Sequence, residues 1–117
     1  MNILYLEDEA SEAALVSRFI RVTPHQLTVV STLEEAFAAL DNAYDLLLVD
    51  MRIGDERGGY ELVRHLRAGG STTPIVAVTG LTFQEDVDKC YAVGCNDVLL
   101  KPFTVAQLDE KIRKYTF

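Results

Sequence analysis

Positive charge is scarce in this chain: 11 Lys and Arg stand against 18 Asp and Glu in 117 residues, a net charge of -7. That balance argues against nucleic acid or an anionic membrane as a direct partner and favours a cationic partner or a metal. Long apolar runs are missing too. None approaches the roughly 20 residues that span a bilayer, and Met1-Asn2-Ile3-Leu4 enters a strand-like segment with no basic start or cleavage site. A cytoplasmic protein is expected. The only cysteines, Cys90 and Cys95, do not form a C-x-x-C pair, which leaves reduced packing residues as the reading rather than a disulfide or zinc site. Pro-, Ser- and Gln-rich stretches are absent, so no linker is expected. No glycine-rich nucleotide loop is present.

What remains is a chain of one-domain length, 1–117, with 49% hydrophobic and 25% charged residues. Five short apolar runs read as strands: Ile3 to Leu6, Leu27 to Val30, Leu46 to Val49, Ile75 to Val78, and Val98 to Leu100. Between them apolar residues recur at steps of three and four, as in Ala13/Val16/Ile20, Val87/Cys90/Tyr91/Gly94 and Val105/Leu108/Ile112, the spacing of one helix face. Thr32-Leu-Glu-Glu35, Thr82-Phe-Gln-Glu85 and Thr104-Val-Ala-Gln107 have the hydroxyl and acid or amide spacing of capping boxes. Gly69-Gly70 and Gly94 sit where helices should stop. Continuous apolar strands alternating with helices predict an α/β fold, a doubly wound parallel sheet covered on both faces.

In such sheets the functional crevice lies beyond the carboxyl ends of the strands. Glu7-Asp8-Glu9 comes after the first strand, Asp50 ends the third, Thr79-Gly80 the fourth and Lys101-Pro102 the fifth. Glu7, Asp8 and Asp50 would repel one another unless a cation offsets them. Mg²⁺ suits this set, because it takes oxygen ligands and is often held by one or two carboxylates plus a phosphate. With a Thr79 hydroxyl and a Lys101 ammonium to bind anionic oxygens, the group is equipped for phosphoryl transfer with Asp50 as nucleophile.

The sequence "ILYLEDE", "LLLVD", "PIVAVTG" and "LLKPF", in that order, resembles the receiver domain of two-component response regulators over essentially the whole chain. The resemblance implies a flavodoxin-like sheet of five parallel strands in the order 2-1-3-4-5 with five helices. It implies Asp50 as the acceptor of a phosphoryl group from a phosphohistidine on a histidine kinase or phosphotransfer protein, with Mg²⁺ required. Asp8, Asp50 and the Arg52 carbonyl become metal ligands, Glu7 acts through water, Thr79 and Lys101 contact the phosphate, and Lys101-Pro102 is cis. The implied role is that of a signalling domain that assists its own phosphorylation and dephosphorylation, not an enzyme. The output partner would meet the face of the fourth helix, fifth strand and fifth helix, with change carried by the backbone of Leu81 to Asp86.

The chain departs from that pattern in four places. Gly54 stands where Pro is usual, the spacing from Asp50 to Gly59 is one residue longer, Glu7 replaces the commoner Asp, and Val98 replaces a switching aromatic. A receiver-like interaction module that is not phosphorylated is the alternative. Simpler roles are expected elsewhere: His25 and His65 on the surface, Asp55-Glu56-Arg57 as a solvated loop, and Tyr60, Tyr91 and Phe103 as packing residues.

Overall fold

A computed structural model describes residues 1–53, 58–80 and 83–116. Ten elements alternate along it: β1 (Asn2–Leu6), α1 (Ala10–Ile20), β2 (Gln26–Val30), α2 (Leu33–Ala39), β3 (Leu46–Asp50), α3 (Gly58–Ala68), β4 (Ile75–Thr79), α4 (Gln84–Val93), β5 (Asp97–Leu100) and α5 (Val105–Lys114). The strands form one parallel sheet in the order β2-β1-β3-β4-β5. This is the flavodoxin-like arrangement the sequence predicts, and each strand contains its apolar run.

Because side chains alternate across a strand, each run supplies both faces of the sheet. Leu4, Leu6, Leu47, Val49, Ile75 and Ala77 join Ala36, Leu62, Val63 and Cys90 in a core beneath α2, α3 and α4. Ile3, Tyr5, Leu46, Leu48, Val76, Val78 and Leu99 join Val16, Ile20, Leu108 and Ile112 beneath α1 and α5. Both cysteines are free and buried. Two residues expected on packed helix faces are instead well exposed, Tyr91 at 47% and Val105 at 44%. Each lies at the edge of its helix's apolar stripe, with Cys90 on α4 and Leu108 and Ile112 on α5 filling the core.

Local signals explain several helix boundaries. Thr32 caps α2 by accepting from the Glu35 N–H, and Thr104 with Gln107 forms a reciprocal capping box on α5. On α4 the capping position is held by Phe83, with no side-chain cap bond; Thr82, the residue predicted there, lies outside the described residues. Gly70 and Gly94 have φ of 86° and 122°, the left-handed conformations that let α3 and α4 stop.

At the edge of the sheet away from the strand carboxyl ends, two clamps fix the helices. Arg67 of α3 donates to the carbonyls of Gly94, Ser71 and Thr73 and to Asn96 Oδ1, at 2.9 to 3.0 Å. Asp97, buried at the start of β5, accepts from Lys111 Nζ and Lys114 Nζ of α5, each at 2.9 Å, and from the Tyr115 hydroxyl at 3.3 Å. Burial alone would raise the Asp97 carboxyl, but the bonds from Lys114 and Lys111 outweigh it and bring the pKa down to about 2. A depressed carboxyl stabilises the fold above its unfolded pKa near 4 and loses that stabilisation as pH falls. Asp97→Asn should therefore cost about 2 kcal/mol at neutral pH, the two lysines being partly solvated. Urea unfolding checks this: the difference from wild type must shrink between about pH 4 and pH 2, and an undiminished difference in acid would refute the assignment.

Candidate phosphoryl-acceptor site

The register brings the strand ends level: Leu6 of β1 pairs with Val49, Asp50 with Val78, and Thr79 with Leu100. Residues just beyond those pairs share one edge. Asp50 is the last residue of β3, on a strand buried throughout, and is 7% exposed as a residue. The strand ends on an acid because the sheet holds that acid rigidly at the rim of the crevice. Its Oδ1 accepts from the Arg52 N–H at 3.0 Å and its Oδ2 lies 3.5 Å from Lys101 Nζ.

Glu7 is more deeply enclosed. Its Oε1 accepts from Lys101 Nζ at 2.8 Å and from the Tyr5 hydroxyl at 3.0 Å, and its Oε2 accepts from the Glu9 N–H at 3.3 Å. Lys101 is set in place by its own backbone, whose N–H donates to the Thr79 carbonyl at 2.8 Å; its bond to Pro102 is cis. Thr79 is buried at the end of β4. Asp8 is exposed at the rim, yet Glu7, Asp8 and Asp50 each offer a carboxylate oxygen within 4.8 Å of the others. All the side chains singled out at strand ends thus reach this one edge. Arg52 contributes its backbone there, one turn beyond β3.

Two participants lie outside the strand-end pattern. Glu12, in the first turn of α1, places Oε2 2.5 Å from Lys101 Nζ. Tyr5, inside the apolar run of β1, puts its hydroxyl beneath Glu7. An acid in the first turn of the helix that leaves β1 is the signal for Glu12; the polar tip of a strand tyrosine two residues before an acid is the signal for Tyr5.

The electrostatics show crowding. Burial first, then Glu7 as bonding neighbour and charge, push the Asp50 carboxyl up to about 6, although the Arg52 N–H works the other way. Burial, then the bond with Glu7, also raises Glu12. Burial would raise Glu7 as well, but bonds with Glu12, Lys101 and Asp50 overcome it and draw Glu7 down to about 2. Burial opposes the charge on Lys101 too, and the bonds to Glu12 and Glu7 hold its pKa above the ordinary lysine value. Among the described residues three carboxylates therefore gather about one ammonium, with the Asp8 carboxylate close to two of them. Such a set suits a hard divalent cation with oxygen ligands.

Behind Asp50 the first turn of α3 lies against the residues that follow β3. The Gly59 N–H donates to the Met51 carbonyl at 3.3 Å. A Cβ on Gly59 would come within 2.4 Å of Met51 Cα and 2.7 Å of the Asp50 carbonyl oxygen, and one on Gly58 within 2.0 Å of the Ile53 carbonyl oxygen. The first turn of α3 is packed against the backbone that carries Asp50. Gly54, one of the departures from the family pattern, and Asp55-Glu56-Arg57, expected as a solvated loop, lie outside the described residues.

A sheet of this order with an acid at the end of its third strand is shared with a known group of proteins. The family model of the response regulator receiver domain matches residues 3–113, and the chain belongs to that family, the receivers of two-component systems. It is 27% identical over 113 residues to the transcriptional regulatory protein RprY of Bacteroides fragilis, covering 96% of this chain and 48% of RprY. It is 32% identical to the transcription factor SKN7 of Saccharomyces cerevisiae, covering 97% of this chain and 18% of that protein. The chain thus spans about half or less of the length of these relatives.

Among solved structures, the receiver domain of the Pseudomonas aeruginosa sensor histidine kinase PA1611 is 31% identical with a TM-score of 0.85, over 97% of this chain and 95% of that one. That structure has a magnesium ion coordinated in its active site cleft. The chemotaxis response regulator CheY4 of Vibrio cholerae shares the fold, with a TM-score of 0.88 at 24% identity over 98% of both chains. Among the described residues no helix is long and apolar enough to cross a membrane.

Proposed function

We propose that residues 1–117 act as one receiver domain in which Asp50 accepts a phosphoryl group from a phosphohistidine of a histidine kinase or phosphotransfer protein. The observation that carries this reading is the placement of a buried, strand-held Asp50 carboxylate between Lys101 at 3.5 Å and the carboxylates of Glu7 and Asp8. A carboxylate oxygen of Asp50 attacks phosphorus, the P–O bond forms as the donor's N–P bond breaks, and the imidazole keeps the electron pair and a proton from solvent. Asp8, Asp50 and the Arg52 carbonyl would hold Mg²⁺, with Glu7 reaching it through water. When bound, the ion supplies charge to offset that of the transferring oxygens. Lys101 and the Thr79 hydroxyl take other phosphoryl oxygens.

The readout proposed is the α4-β5-α5 face, for a downstream protein or domain. Each of these elements exposes large apolar side chains: Tyr91 on α4, Leu100 on β5 and Val105 on α5, with Phe83 just before α4. Val98, half-buried against the α2-α3-α4 core, has a small side chain that is stiff at χ1 and cannot swing a ring between inside and outside. The backbone leading into α4 must carry the change; of Leu81 to Asp86, Phe83 to Asp86 are described. Incubation with Mg²⁺ and acetyl phosphate should add one phosphoryl mass to Asp50, and the beryllofluoride-bound protein should show altered amide exchange at Phe83 to Asp86. Mass on another residue would overturn the acceptor, and exchange changes confined to the Asp50 loop would overturn the readout.

A further inference from the structure

Lys101 has three ammonium hydrogens and three carboxylates around it: Glu12 at 2.5 Å, Glu7 at 2.8 Å and Asp50 at 3.5 Å. The two short contacts are made with residues other than the acceptor. Both draw the ammonium off Asp50, so a stronger bond from Lys101 to a group attached there comes at the expense of one of these contacts. Glu7 is the costlier to release, since its side chain is fully enclosed and is also bonded by Tyr5 and Glu9. The Glu12 side chain is 35% exposed and sits on the first turn of α1, where water can replace the lysine.

We propose that Glu12 is a positioning residue that holds Lys101 away from Asp50 in the resting domain and yields it when a phosphoryl group arrives. The inference rests on the reading of Asp50 as the acceptor. It makes Glu12 an internal rival of the phosphoryl oxygens, competing with them for the same cation. The rivalry slows uptake from an anionic donor and weakens binding of a phosphoryl mimic. It also links α1 to β5 through one bond in the resting state, a link that phosphorylation cuts.

Two variants separate a contact from a mere charge. Glu12→Gln removes the charge and the strong bond; Glu12→Asp keeps the charge but, being one methylene shorter, loses the 2.5 Å contact. With acetyl phosphate and Mg²⁺, both should take up the phosphoryl group about 3- to 10-fold faster than wild type and bind beryllofluoride correspondingly tighter, the scale of one partly exposed ion pair. In chelator, with no metal or donor present, nitrogen-detected spectra should show a slowly exchanging Lys101 ammonium in wild type that is lost in both variants. If Glu12→Asp matches wild type in both measurements while Glu12→Gln alone is faster, Glu12 acts by charge and the proposal is wrong. Unchanged rates in both variants would also overturn it. No uptake on wild-type Asp50, with the Lys101 signal behaving as described, would instead defeat the acceptor reading and with it the competition, while leaving the resting contact established.

Discussion

Asp50→Asn is expected to end phosphoryl uptake altogether and, in chelator at neutral pH, to make the protein more stable than wild type. The first effect follows from the proposed acceptor role: among the described residues Asp50 is the carboxylate held between Lys101 and the carboxylates of Glu7 and Asp8. The second comes from linkage. Burial and Glu7 raise the Asp50 carboxyl to about 6, well above its unfolded value near 4. An acid raised in this way binds its proton more tightly in the folded state, so its contribution to stability is greatest below pH 4 and falls as pH rises through the folded value. Above that window the ionised Asp50 is a standing cost, which Asn removes. The gain should be about 1 to 2 kcal/mol at pH 7, less than the full shift implies because Glu7 and Glu12 share it. Saturating Mg²⁺ should reverse the order, since wild type alone gains from binding. Denaturant melts with and without Mg²⁺ measure both signs; a variant less stable than wild type in chelator would show that Asp50 is not strained by its neighbours.

Lys101→Ala should have the opposite effect and a larger one. It removes the ammonium that bonds the enclosed Glu7, which keeps bonds from the Tyr5 hydroxyl and the Glu9 N–H, and strips the sole described cation from among Glu7, Glu12 and Asp50. Removing one partner from a buried ion pair costs about 3 to 5 kcal/mol, reduced here to about 2 to 4 because the lysine is partly solvated. Against a typical total of about 5 to 15 kcal/mol the variant should still fold. Mg²⁺ should then restore much of the loss and bind at least several-fold more tightly than to wild type, as one cation takes over from another. Thermal melts across a Mg²⁺ titration test this, and a variant melting with wild type in chelator would sink it.

The fold was legible because strands buried on both faces leave continuous apolar runs, and each run of this chain ends in a polar residue at the same edge. Asp50, Thr79 and Lys101 are found by looking at the polar residue that closes each run. That search passes over Glu12, which closes no strand and reaches the site across the first turn of a helix. It also passes over Tyr5, whose apolar ring fills the core while its hydroxyl serves Glu7. Asp97 was hidden for the reverse reason. It begins a strand, and its partners Lys111 and Lys114 lie on one face of a later helix, so only their spacing of three hinted at a common target. Tyr91 and Val105 fit a helical stripe by spacing, yet both lie at its edge and are left exposed.

Gly58 and Gly59 give the site an unusual mutational profile. Neither has a side chain to offer, and the missing Cβ atoms are what let α3 seat against Met51, Ile53 and the Asp50 carbonyl. Any replacement at 59 forces the helix and the acceptor's backbone apart, so a saturation screen for signalling would rank this residue beside Asp50 itself. The same screen would pass lightly over Glu9, a charged side chain exposed at the rim next to Asp8, whose part in the site is played by its backbone N–H. Loss of signal and participation in the proposed chemistry are therefore poorly matched in this domain: its map of sensitive positions would trace where backbones touch as much as where the proposed phosphoryl transfer takes place.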